Sequence, residues 1–244
     1  MIFYFSGTGN SKYIAQRIAD AVGGGILPVA SHTPYAIPDN GESIGLVFPV
    51  YFWGIPTAAV EFLSALQIKG IHYFYLVLNC GGSTGDASGM AEKLLGRKFD
   101  AIFSVQMPDT YAPMFNVSDA QRNQSILDKA EPAIDAIIQL VKERKEGNFD
   151  RHRGGGRLYT ATMYPSYKRK TTKKFSILSS CVGCGKCAEV CPDDVISLHG
   201  GKPHWREGHC NLCFACLHHC PQHAILYGKG SHKHGQYLCP RVKE

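Results

Sequence analysis

The stretch Cys181-Val-Gly-Cys184-Gly-Lys-Cys187-Ala-Glu-Val-Cys191-Pro192 is written twice in this chain. Its second copy, Cys210-Asn-Leu-Cys213-Phe-Ala-Cys216-Leu-His-His-Cys220-Pro221, is displaced by 29 residues at every cysteine, and Ile196 has its counterpart in Ile225. Eight of the ten cysteines belong to this pair. Zinc also accepts C-x2-C pairs, but a four-coordinate ion does not call for two runs of four. Disulfides suit short secreted chains. Here the start, Met1-Ile-Phe-Tyr-Phe, lacks a basic flank and is cut off by a glycine turn, so it reads as a strand rather than an export signal.

The C-x2-C-x2-C-x3-C-P spacing resembles the run with which bacterial-type ferredoxins hold iron–sulfur clusters. The resemblance implies two [4Fe–4S] clusters, with the fourth cysteine of each run ligating the other cluster. One cluster would use Cys181, Cys184, Cys187 and Cys220, and the other Cys210, Cys213, Cys216 and Cys191. Three cysteines at two-residue intervals let a tight loop reach three corners of a cube, and the proline then turns the chain away. Oxidant-sensitive clusters place the protein in a reducing cytoplasm. His218 and His219, between two ligands, are expected to be exposed rather than bonded to cluster sulfur.

At 244 residues the chain has room for two domains and a substantial core. No apolar run reaches the length of a membrane span. Over residues 1–146 strand-like runs alternate with helical patterns, which predicts an α/β fold with a five-stranded, doubly wound parallel sheet. The strands are Ile2–Ser6, Ile26–Val29, Ser43–Pro49, His72–Asn79 and Ala101–Met107. Helices start near Ser11, at Pro56, after Ser83 (with Ser83-x-x-Asp86 as a capping box) and at Ser118-x-x-Gln121.

Ligands of such sheets bind at the C-terminal strand edge, and the unusual residues collect there. Strand one ends in Ser6-Gly7-Thr8-Gly9-Asn10-Ser11, whose glycines let N–H groups and hydroxyls face one point at a helix N-terminus. That predicts an anion site, with a phosphate the expected occupant. It lacks the G-x-x-x-x-G-K-[ST] and G-x-G-x-x-G patterns. The loop resembles the FMN-phosphate loop of flavodoxins. The resemblance implies that Ser6, Thr8, Gly9, Asn10 and Ser11 hold the phosphate. It also implies that Pro49, Tyr51, Phe52, Trp53 and Gly54 meet the isoalloxazine ring, and that Asn79, Cys80, Gly81 and Gly82 meet its pyrimidine edge. The aromatic loop 108–115 either packs on the flavin or faces the second domain.

Together the halves resemble flavodoxin–ferredoxin fusion proteins: a flavodoxin-like domain at 1–146, a basic connector at 147–176, and a small α+β two-cluster ferredoxin domain with a polar tail at 177–244. The connector carries eight Lys/Arg against Asp150 alone, so the remainder of this +6 chain is about neutral. No base-stacking motif accompanies the charge, which argues against nucleic acid; it offsets anionic clusters or docks an acidic redox partner protein. Gly154-Gly155-Gly156 is the expected flexible point, and Cys239 falls in the polar tail. The resemblance implies electron transfer between the two clusters and FMN. The alternatives are an FMN-dependent reductase of a quinone or nitro compound fed by the clusters, and a ferredoxin fused to an empty docking domain. No nucleophile–base pair supports hydrolysis.

Overall fold

The computed structural model describes residues 1–29, 43–67, 70, 73–168, 171–208 and 210–243. Its first half alternates strands and helices: β1 (Ile2–Tyr4), α1 (Asn10–Val22), β2 (Ile26–Pro28), β3 (Ser43–Pro49), α2 (Thr57–Ala65), β4 (Tyr73–Cys80), α3 (Ala87–Leu95), β5 (Ala101–Gln106), α4 (Ala120–Lys142) and β6 (Gly147–Phe149). The parallel sheet runs β2-β1-β3-β4-β5-β6. It has six strands rather than the five expected. Gly147–Phe149 pairs with Ala101–Phe103, but three residues holding one aromatic carry too little periodicity to be read as a strand. The expected start of β4 at His72 lies outside the described residues.

β4 is buried along its whole length, as a central strand covered on both faces must be. Side chains alternate between the two cores. Ile44, Leu46, Phe48, Phe74, Leu76 and Leu78 pack with Phe62 and Leu63 of α2, while Val47, Tyr75, Val77, Phe103 and Val105 pack with Ile14 and Ile18 of α1 and Ile134 of α4. Two helix caps differ from expectation. Asp119, not Ser118, caps α4 by accepting from Arg122 N–H at 2.9 Å, because Ser118 is turned onto Asn116 Oδ1. The Ser83–Asp86 capping box does not form. Ser83 Oγ instead donates to Gly154 O at 2.5 Å, and Asp86 pairs with Arg153 and Arg157.

Those contacts dock the connector. Its residues Gly156–Lys168 form α5, where Thr160 Oγ1 donates to Trp53 O at 2.5 Å and Tyr164 OH to Ile55 O at 2.8 Å. Beyond it β7 (Phe175–Ile177) pairs antiparallel with β10 (Ile225–Tyr227), and β8 (Ile196–His199) with β9 (Lys202–Trp205). Two single-turn helices, α6 (Lys186–Glu189) and α7 (Ala215–His218), sit at equivalent places in the two cysteine runs, keeping the sequence offset. Among the described residues no helix is long and apolar enough to cross a membrane.

The halves are locked by Asn211, which is fully buried. Its Nδ2 and backbone N–H donate to the Asp193 carboxylate at 2.6 and 2.8 Å, its Oδ1 accepts from Ala58 N–H at 2.6 Å, and its carbonyl accepts from Tyr167 OH at 2.9 Å. A residue of the second cysteine run thus satisfies a backbone donor in the first turn of α2, where Pro56 has no side-chain cap to offer. Asn211→Ala is expected to cost about 2–3 kcal/mol, read as a lower urea midpoint, since it strips a cap and a buried amide. Asn211→Asp should cost more at neutral pH, where it sets two carboxylates together, and recover part of that loss as the pH falls through the carboxylate range.

Candidate flavin and iron–sulfur sites

At the C-terminal edge of the sheet lies a cavity of about 750 Å³, lined by residues from both halves and the connector. Of the predicted ring-site residues, Pro49, Tyr51, Phe52, Trp53, Asn79, Cys80, Gly81 and Gly82 line it, and Asn10 reaches it from the loop. Gly54 does not: its backbone is pressed against the Tyr164 ring. The aromatic turn is strained to serve the cavity. Tyr51 and Gly54 exchange backbone hydrogen bonds, and Phe52 and Trp53 between them hold φ of 50° and 62°. Non-glycine residues take that left-handed conformation at about 1–2 kcal/mol each, and here it sends both rings outward. Phe52 stacks on Tyr167 and Trp53 on Tyr159, at centroid distances of 6.0 and 5.4 Å. Such a slot suits a planar aromatic ligand.

Ser6, Thr8, Gly9 and Ser11 lie beside the cavity rather than on its wall. Ser6 Oγ accepts from Gly9 N–H at 3.0 Å, Gly9 sits at φ 98° ahead of α1, and Ser11 Oγ accepts from Asn79 Nδ2 at 2.7 Å. Two cavity groups are titratable. Burial pushes the Cys80 thiol up to about 12, which keeps it protonated and makes it packing. Burial also raises Asp109, against hydrogen bonds from the Tyr111 and Thr110 N–H groups.

The first-run cysteines Cys181, Cys184 and Cys187 share one cavity with Cys220, the last of the second run. Cys191 lies close enough to Cys210 and Cys216 to raise both of their pKa values. Both groupings draw on cysteines from the two runs. Among the described residues no three His, Cys, Asp or Glu side chains converge on a single-ion centre. The donor set fits a cluster. Leu212 N–H reaches Cys210 Sγ at 3.4 Å and Ala224 N–H reaches Cys220 Sγ at 3.3 Å. Burial pushes Cys210 up to about 12 and raises Cys213 and Cys216 as well, so thiolates there need a cationic centre. Among the described residues the buried Trp205 indole N–H has no acceptor. It favours the Cys216 thiolate yet makes no full hydrogen bond with it, an orphan donor aimed at sulfur chemistry.

The two runs differ where it matters to the cavity. Gly183 and Gly185 of the first hold φ of 69° and 79°; their counterparts Leu212 and Phe214 hold 50° and 56°. The backbone path is the same, but the second run accepts left-handed strain to set two apolar side chains, with Cys213 between them, into the cavity wall. Gly7 makes the approach possible, since a Cβ there would stand 2.5 Å from Cys213 O. His218, expected to be exposed, is buried instead. Its Nδ1 accepts from Tyr237 N–H at 3.2 Å, which leaves Nε2–H to donate to Thr110 O at 2.9 Å, and burial lowers its pKa to about 4. Composition hid this, because a histidine pair beside a polar tail carries no burial signal. Tyr159, Met163 and Tyr167 of α5 were also missed as cavity residues, although the aromatic content of the connector was their signal.

Residues 1–131 match the family model for the flavodoxin domain, and residues 169–225 that for the 4Fe-4S dicluster domain. The chain belongs to the flavodoxin-domain family. With its second module it is a flavodoxin–ferredoxin fusion, an electron-transfer protein of the oxidoreductase class built on iron–sulfur and flavin domains. Among solved structures it is similar to a presumed flavoprotein from Bacteroides uniformis (14% identity, 43% of this chain and 88% of that one, TM-score 0.38). It is also similar to one from Bacteroides eggerthii (18%, 53% and 96%, TM-score 0.35) and to rubredoxin oxygen:oxidoreductase from Desulfovibrio gigas (12%, 59% and 36%, TM-score 0.33). These likenesses are too remote to carry an argument. No curated protein matches the chain.

Because glycine already serves at the equivalent positions of the first run, Leu212→Gly and Phe214→Gly are expected to keep full iron content. Flavin affinity, followed by fluorescence quenching, should fall about tenfold or more as the cavity wall is lost.

Proposed function

We propose that this chain relays electrons between two [4Fe–4S] clusters and one FMN held in fixed mutual positions. The observation that carries the reading is the shared wall: Leu212, Cys213 and Phe214 belong to the second cysteine run and also line the ring cavity. The clusters and flavin supply the redox chemistry when bound. The protein supplies placement. Cys181, Cys184, Cys187 and Cys220 would hold the outer cluster, and Cys210, Cys213, Cys216 and Cys191 the inner one. Phe52, Trp53, Asn79, Cys80, Gly81 and Gly82 would bound the flavin ring, and the loop 6–11 its phosphate. The Asn211 lock and the Gly7–Cys213 contact hold the inner cysteine set against the cavity, so donor and acceptor remain at high effective concentration without domain movement.

The outer set ends at the surface. Cys184 is exposed and Val182 is 67% exposed, with Lys186 and Lys202 nearby; Lys202 Nζ donates to Cys181 O at 2.6 Å. An acidic redox protein with an apolar contact patch fits that end, and electrons would enter or leave there. A reductase acting on a small acceptor is the second reading. It is favoured by the open rim of the ring cavity, where Met114 is 63% exposed and Phe115 and Met163 are also exposed.

Anaerobically purified protein should contain one FMN and about eight irons per chain. Full iron with no flavin, even after FMN is added, would leave a ferredoxin joined to a docking domain and sink the relay. Asp109→Asn removes a partly buried negative charge from the cavity wall. It should raise the midpoint potential of bound flavin by on the order of tens of millivolts, measured by spectroelectrochemical titration, because an anion disfavours added electrons.

A further inference from the structure

The polar tail, residues 236–243, does not project from the second domain but crosses the phosphate loop. Its start is tied to the second cysteine run, where Gln236 Nε2 donates to Leu217 O at 2.6 Å and to Cys220 O at 2.9 Å. It then meets the loop: Tyr237 OH donates to Asn10 Oδ1 and Cys239 N–H to Thr8 O, each at 2.8 Å. A Cβ at Gly9 would stand 2.8 Å from Val242 Cγ2 and 3.1 Å from Cys239 Cβ. Its far end is pinned to two helices. Arg241 reaches Leu127 O at 3.0 Å, Asp128 at 2.5 Å and Glu131 on α4, and Lys243 Nζ reaches Asp20 on α1 at 2.8 Å. Tyr237 and Cys239 are buried.

Under this cover the loop keeps unspent donors. Thr8 is only 5% exposed, and its carbonyl is taken by Cys239 N–H. Asn10 and Ser11 open α1, so their N–H groups have no acceptor within the helix. Asn10 belongs both to this loop and to the wall of the ring cavity, so the loop adjoins the cavity there. A ligand entering ring-outward and phosphate-inward ends beneath residues 239–242.

We propose that residues 236–243 are a strap that roofs the phosphate end of the flavin site, slows flavin release, and restricts the site to a flavin ending in a phosphate monoester. The inference rests on the flavin reading above and adds its selectivity. A flavin dinucleotide must carry a second phosphate and a nucleoside beyond the first, through the place that Cys239 and Val242 hold against Gly9. A mononucleotide stops short of them. Tyr237 and Arg241 act as positioning residues, since they hold the strap rather than the flavin.

The test uses the full, cluster-loaded chain in three forms: unaltered, the double variant Tyr237→Phe/Arg241→Ala, which removes the ties, and Cys239→Trp, which cannot sit against Gly9. FMN and FAD are the probes. Affinity and release rate are read from flavin fluorescence, and iron content checks that each variant is folded. The unaltered chain is expected to bind FMN at least about tenfold more tightly than FAD, while both variants release FMN about tenfold faster and narrow the FMN-to-FAD gap. Equal release rates and an unchanged gap in both variants would overturn the strap. Flavin binding by the variants but not by the unaltered chain would make the tail a plug and overturn it too. Binding by none of the three, with iron intact, would remove the flavin reading itself and the strap with it.

Discussion

Burying a polar amide is costly unless every hydrogen-bonding group finds a partner, and Asn211 meets that constraint only by joining four separate parts of the chain. Its partners are Asp193, the first turn of α2, and Tyr167 of α5. The contacts to Ala58 and Tyr167 are lost if the cysteine-bearing half swings away from the sheet, whereas that to Asp193 lies within it. The position of Cys213 against Gly7, the closure of the ring cavity by Leu212 and Phe214, and the seating of α5 on the aromatic turn all follow from it. The stretch that looks like a linker in composition is therefore structural. Tyr164 and Tyr167 face the sheet domain, and Arg153 and Arg157 neutralise Asp86.

Charge follows the same logic. The connector's basic residues divide between internal pairing and the surface: two serve Asp86, Lys173 pairs with Glu207, and Arg169 and Lys170 lie outside the described residues. Exposed pairs of this kind contribute little to stability. Their weight is electrostatic, shaping the local potential at the surface.

Patterns with a fixed period were legible before the fold was. The doubled cysteine spacing carries over into two single-turn helices at equivalent places. The alternation of apolar runs with helical periods gave five strands of the sheet, and the glycine-rich loop fell where a helix N-terminus stands. What stayed hidden depends on tertiary context. β6 is too short to carry a period. Ser83 and Ser118 look like caps until Gly154 and Asn116 compete for them. Asn211, His218 and Tyr237 are polar residues in polar surroundings, and only partners distant in sequence (Ala58, Thr110 and Asn10) make them buried. The aromatic turn was expected to meet a ligand and does line the cavity, but its left-handed backbone at Phe52 and Trp53 is not written in residue type, since glycine would be the ordinary choice there.

The sheet ends in two very short edges. β2 and β6 are three residues each, the first closing on Pro28, which has no N–H to give, and the second opening on Gly147. Such an edge offers a neighbouring chain roughly 10 Å of ladder, too little to fix a register or repay ordering a strand. Blunted edges of this kind keep a parallel sheet from growing sideways into other molecules. The long, fully buried β4 is thereby shielded from intermolecular pairing, and encounters are steered to surfaces made of side chains. That turns a strongly apolar sheet into a private scaffold and leaves surfaces made of side chains as the face this molecule shows to others.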